Sequence, residues 1–282
     1  MPETSSQFHF PKDIKLKSSP LAEAWLDIRW QLQPVNPPHI MKDDAFAFAL
    51  GTFYNSIRDR FPYRENTDVS QVPPEMLPHV VRHRFRPNEG GWPLLQIGPG
   101  VATVNFTSPY TWTDFQELAM YLRSNLCNAY GENELKVETI TLRYRNTRRF
   151  DFASENLLGF LREQLNTNFV LPTHIPGGVS SSDRPTSANL ILTFDLLEPK
   201  GTGTLQFATA RRNTDASKAD ENAQDRLLLW QLDVASGGTD APSLADEEKF
   251  TGWLDAAHAT VHEWFFSIIE GPLLEEYQAG GE

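Results

Sequence analysis

Apolar and polar residues roughly alternate from Leu21 to Gln33, with Leu26, Ile28 and Trp30 set against Trp25, Asp27 and Arg29. A period of two puts the sets on opposite faces of a strand. Pro34, Pro37 and Pro38 end it. Phe46, Leu50, Phe53, Tyr54 and Ile57 then recur at helical spacing, which predicts a helix over 43–60, with Asp43 and Asp44 suited to its start. Residues 62–78 are proline-rich and polar and read as a long loop. Three strands follow, over 79–86, 92–98 and 101–107, turned at Pro87-Asn88-Glu89-Gly90-Gly91 and at Gly98-Pro99-Gly100. Phe115, Leu118, Leu122 and Leu126 form one stripe of a helix over 111–130, which Gly131 stops.

The same order of elements then recurs. A strand is expected over 136–150, a helix over 154–166 with Ser154 as N-cap, and a Gly/Ser/Pro-rich loop over 171–188. Strands follow over 189–198, 203–211 and 226–235, then a helix over 244–269 with Asp246, Glu247 and Glu248 at its start. Ile28-Arg29-Trp30 aligns with Leu142-Arg143-Tyr144, and Trp112 and Phe115 with Phe250 and Trp253. The fold class expected is therefore α+β, a duplicated β-α-β-β-β-α unit forming a mostly antiparallel curved sheet with helices on one face. By analogy it looks like the TATA-binding-protein-like or helix-grip folds, which carries no function. The organisation expected is a flexible arm over 1–18, a first unit over 19–133 and a second, acidic unit over 134–282.

Charge narrows the partners. The chain of 282 residues has a net charge of −12, unevenly spread. Residues 1–150 hold 17 Lys+Arg against 16 Asp+Glu, and residues 151–282 hold 8 against 21, so the halves carry +1 and −13. A global grip on nucleic acid needs a basic surface, and only the first half could offer one. The single cysteine, Cys127, excludes an internal disulfide and a cysteine-based metal site. Neither a signal peptide nor a run of ~20 apolar residues is present, so no membrane is expected and the cytoplasm is the default location.

At Pro20-Leu21-Ala22-Glu23-Ala24, Leu95-Gln96-Ile97-Gly98-Pro99-Gly100, Val104-Asn105-Phe106, Tyr110-Thr111-Trp112 and Leu142-Arg143-Tyr144-Arg145-Asn146 the chain resembles a sporadically distributed, functionally uncharacterised prokaryotic family known chiefly by a numbered family model. The resemblance spans residues 18 to 275. The family's last block usually reads Arg-Tyr-Ile-Asn, so Arg145 stands where an apolar residue is common. The resemblance implies a bacterial or archaeal source and a mobile or defence-associated gene neighbourhood. It transfers no catalytic residue.

Arginine outnumbers lysine 17 to 8. Arg82, Arg84 and Arg86 alternate along one strand and share a face, Arg143 and Arg145 share another, and Arg148 lies just beyond. Guanidinium forks suit phosphate and carboxylate, and Tyr63, Phe85 and Tyr144 are candidate stacking surfaces. The competing reading pairs these arginines with the chain's many carboxylates. His258 and His262 lie four apart on the last helix and are a candidate metal pair, but Ala259 stands where the metalloprotease pattern needs Glu, and nearby Trp253, Trp264, Phe265 and Phe266 offer rings to pack against. Cys127 reads as a packed residue, Gly98-Pro99-Gly100 as a turn rather than a phosphate loop, and Gly177-Gly178 and Gly237-Gly238 as spacers. Glu23, Asp27, Glu138 and Asp151 are carboxylates near strand ends with no catalytic motif around them. No cofactor is expected. The leading expectation is a non-enzymatic recognition or adaptor protein that holds a protein partner or an anionic ligand on an open sheet face. A nucleic-acid-binding protein using the arginines is the alternative, and a metal-dependent enzyme at His258 and His262 is the third.

Overall fold

The structure, a computed structural model, describes residues 14, 16–35, 40–131, 135–152, 154–172, 185, 187–211 and 226–280. Their architecture is mixed α+β, and every strand pairing is antiparallel. The strands are β1 (Leu21–Trp30), β2 (Gln33–Val35), β3 (Ile40–Lys42), β4 (Tyr63–Asn66), β5 (His83–Arg86), β6 (Leu94–Gly98), β7 (Val101–Phe106), β8 (Val137–Arg149), β9 (Asn189–Leu197), β10 (Lys200–Arg211) and β11 (Arg226–Gly237). The helices are α1 (Phe46–Ile57), α2 (Trp112–Tyr130), α3 (Leu157–Glu163), α4 (Glu247–Ile269) and α5 (Pro272–Ala279). Nine strands form one sheet in the order β4-β5-β6-β7-β1-β8-β11-β10-β9, and β2 with β3 forms a separate hairpin. β1 and β8 meet at its centre, Leu26 opposite Leu142. No described helix is long and apolar enough to cross a membrane.

Alternation decides which face is covered. Leu26, Ile28, Leu142, Val104, Leu232 and Val234 are fully buried and point to the helices. Each such side chain contributes about 1.5–3 kcal/mol of burial. α2 buries the expected stripe of Phe115, Leu118, Leu122 and Leu126. Its N-cap is Thr111, whose hydroxyl accepts from the Asp114 N–H, and it ends at Gly131, held at φ 95°, a left-handed value that suits glycine. α4 starts on an Asp246 cap that accepts from the Lys249 N–H. α2 and α4 run antiparallel, tied by Gln116 to Asp255, Met120 to Thr251 and Arg123 to Glu247.

The pattern misplaced several ends. α1 begins at Phe46 on Ala45 with no side-chain cap, because Asp43 is engaged elsewhere. One of its oxygens accepts from the Trp30 indole N–H, the Gly100 N–H and the Tyr130 hydroxyl, joining β1, the β6–β7 turn and α2. β4 lies inside the stretch expected to be all loop, and its short polar sequence shows no alternation of apolar residues. α3 is capped by Asn156, while Ser154 bonds the Asp151 carboxylate. α5 follows α4 after Gly271 and had no expectation behind it. Of the expected arm, residues 1–13 and 15 lie outside the described residues; the backbone N–H groups of Lys17 and Ser18 donate to the Tyr277 carbonyl. Gly177 and Gly178 also lie outside them.

Candidate functional site

On the sheet face away from the helices the described residues form a polar surface. Arg84 donates to Gln96 at 3.0 Å, Gln96 donates to Thr103 and Asn105, and Asn105 donates to Glu23 at 2.7 Å. Across β1 and β8, Trp25 lies under two guanidiniums, those of Arg143 and Arg145, at 4.9 and 4.8 Å from its ring centre. Arg145 donates to Gln231 at 3.1 Å. Arg143 approaches Asp233 at 2.7 Å, an ion contact rather than an aligned hydrogen bond. Burial raises the Asp233 pKa above its ordinary value against the pull of Arg143.

The arginines do not form one open cluster. Arg82 is buried, and one of its nitrogens donates to the carbonyls of Val69, Ser70 and Val72, so it holds the loop before β5. Burial lowers its pKa. Arg86 pairs with Glu65 and donates to the Gly91 carbonyl. Arg148 lies on the helix side, over Phe160 and near Glu276, because its position in β8 has the parity of Tyr144 rather than of Arg143. Arg84 and Arg145 keep neutral glutamines as partners.

The three stacking candidates separate as well. Tyr63 pairs with Arg86 on the edge strand, but Phe85 is fully buried between Phe53 and Tyr54 of α1, and Tyr144 is buried beneath α4. A base on the open face reaches neither. The carboxylates also diverge: Glu23 accepts from Asn105, Asp27 pairs with Arg29, Glu138 lies near His79, and Asp151 caps the turn at Ser154. Cys127 is buried, its thiol donating to the Leu244 carbonyl.

The helix side holds a cavity of about 500 Å³ between the start of α2, the middle of α4, the sheet centre and Ile14, Leu16 and Ser19. Leu21, Val261, Phe265 and Phe266 supply apolar walls. Val261, His262, Phe265 and Phe266 follow His258 at helical spacing, so α4 presents one stripe to it. At its polar end the Tyr144 hydroxyl bonds the Tyr110 hydroxyl and lies 3.1 Å from Nδ1 of His258. His258 stacks flat on Trp112, with ring centres 3.8 Å apart and planes 5° apart.

Burial, with His262 beside it, pulls the His258 pKa down from 6.5 to about 3, so the imidazole is neutral. Burial lowers His262 too. The same desolvation raises the Tyr110 and Tyr144 hydroxyls far above the ordinary tyrosine range. The site is therefore a set of neutral donors and acceptors in an aromatic enclosure.

Among the described residues, His258 and His262 find no third ligand for a metal. Their rings are 5.8 Å apart, Nδ1 of His258 faces Tyr144, and no group of three or more His, Cys, Asp or Glu able to hold a metal occurs among the described residues. The expectation that rings pack around them fits better: Trp112 covers His258, and Phe266 lies 4.6 Å from His262. In the sequence Tyr110 stands out only within the Tyr110-Thr111-Trp112 block, and Tyr144, a candidate stacking surface, lies on the helix side of the sheet. No family model matches the chain, and no curated protein matches it.

Proposed function

We propose that the chain is a recognition protein whose ligand site is the aromatic cavity between α2, α4 and the sheet centre. One observation carries this: a hydrogen-bonded chain of Tyr110, Tyr144 and His258 faces a cavity of about 500 Å³ that is otherwise mostly apolar. Concave, largely apolar pockets with a few convergent polar groups and shifted pKa values are the usual form of small-molecule sites. A ring-compound library screened by thermal shift tests it. A ligand at about 100 times its Kd stabilises the folded state by about 2.7 kcal/mol. Such compounds raise the melting temperature of the native protein and leave a folded Val261→Trp variant, whose cavity is filled, unmoved. A library that shifts neither protein sinks the reading.

A second reading keeps the open face as the working surface, for a protein partner or an anionic ligand. It is favoured by Arg84 and Arg145, which are held by glutamines rather than by carboxylates. Salt-sensitive retention on heparin, lost in an Arg84→Ala/Arg145→Ala double variant, supports it. The reading of the chain as two β-α-β-β-β-α copies gains support from the strand order. Outward from the central pair, β1 is followed by β7, β6 and β5, and β8 by β11, β10 and β9, so corresponding strands occupy corresponding places. The antiparallel α2 and α4 fit the same two-fold relation, as does the analogy with TATA-binding-protein-like or helix-grip folds. On this reading the cavity lies where the two copies meet. Membership of the resembled prokaryotic family, with its defence-associated setting, stands as part of the same proposal.

A further inference from the structure

The polar end of the cavity has two hydrogen-bonding arrangements. Each hydroxyl carries one hydrogen, and a neutral imidazole carries one on one of its two nitrogens. In the first arrangement Tyr110 donates to Tyr144, Tyr144 donates to Nδ1 of His258, and the imidazole hydrogen sits on Nε2. In the second, Nδ1 donates to Tyr144 and Tyr144 donates to Tyr110. Nε2 is then a bare acceptor, and the Tyr110 hydrogen is free to point outward. The two ends of the chain thus always offer one donor and one acceptor, and they exchange roles together. Nε2 of His258 takes no protein hydrogen-bond partner among the described residues, and both His258 and Tyr110 line the cavity. Stacking on Trp112 fixes the imidazole plane, so the direction of Nε2 is set before anything binds.

The rest of the lining limits charge. Among the described residues around the cavity there is no Asp, Glu, Lys or Arg, so a charged ligand would lose its hydration without gaining a counter-ion from them. Aromatic walls favour a flat occupant.

Resting on the cavity reading above, we infer that the site takes an uncharged planar heterocycle bearing one hydrogen-bond donor and one acceptor on its rim, read by Tyr110 and Nε2 of His258 through Tyr144. The closing experiment is calorimetric titration with 2-quinolone, whose N–H and carbonyl are neighbours on one rim, 1-methyl-2-quinolone, which has lost the donor, and quinoline, which lacks both the N–H and the carbonyl. 2-Quinolone binds the native protein about tenfold more tightly than its methylated form, because a buried partner is otherwise left unpaired. In Tyr144→Phe the ring stays and the relay is cut, so the preference vanishes. The ¹⁵N resonances of both His258 ring nitrogens in the native protein give an independent readout, and 2-quinolone displaces them. Equal affinity for all three compounds, a preference that survives Tyr144→Phe, or unmoved His258 resonances overturns the inference and leaves the cavity reading standing. No binding by any of the three also overturns the inference, and the cavity reading falls with it only when the ring-compound library shifts nothing either.

Discussion

Acidification strikes His258 directly. Its imidazole is held neutral in the folded chain, with its pKa pulled to about 3 by burial, whereas in the unfolded chain it titrates near the ordinary 6.5. Between those values the unfolded state binds a proton that the folded state does not, so stability falls as the pH falls below the unfolded value. At pH 5 the gap below 6.5 is about 1.5 units at roughly 1.4 kcal/mol each, a loss of about 2 kcal/mol for the native protein relative to pH 7. His262 and His83 are shifted in the same direction and contribute to the total slope. Urea unfolding at pH 7 and pH 5 is therefore compared between the native chain and His258→Gln, which keeps a polar group opposite Tyr144. Their difference isolates the one imidazole, and the variant loses about 2 kcal/mol less on acidification. Equal losses to within about 0.5 kcal/mol would refute the claim that His258 is buried in neutral form against Tyr144.

Two substitutions test the frame that holds the site. Asp43→Ala strands the Trp30 indole, the Tyr130 hydroxyl and the Gly100 N–H; denaturant unfolding registers a loss of about 2–4 kcal/mol. Gly98→Ala places a Cβ 2.0 Å from the Val80 carbonyl oxygen, a backbone atom that cannot swing aside, and thermal unfolding falls accordingly by about 2 kcal/mol or more. A variant of either kind with native stability contradicts the packing described.

Most of the sheet was legible because its strands are half-buried and long. β1 and β8 alternate over ten or more residues, and the α2 stripe at Phe115, Leu118, Leu122 and Leu126 is fully apolar, so periodicity alone located them. β4 was missed because four polar residues on an edge carry no such signal. The parity of β8 placed Arg143 and Arg145 together correctly, yet Arg148 was not followed through to the opposite face. The cavity had the weakest signature. Tyr110, Tyr144 and His258 are brought together by a loop, a strand and a helix far apart in the chain, and only the β8–α4 packing makes them neighbours. The His258 and His262 spacing pointed to one helix face, which is right, but spacing cannot distinguish a ligand pair from rings stacked on Trp112.

The central place of β1 has a consequence for biosynthesis. β1 ends at Trp30, yet its two neighbours begin only at Val101 and Val137. At roughly 5–20 residues per second, ribosomal synthesis leaves this strand without a partner on the order of ten seconds, and its far edge for longer still. A chaperone that holds the nascent chain through this interval has more to protect here than at any later strand, since β10 follows directly on β9, its partner, and β11 finds both β10 and β8 already made.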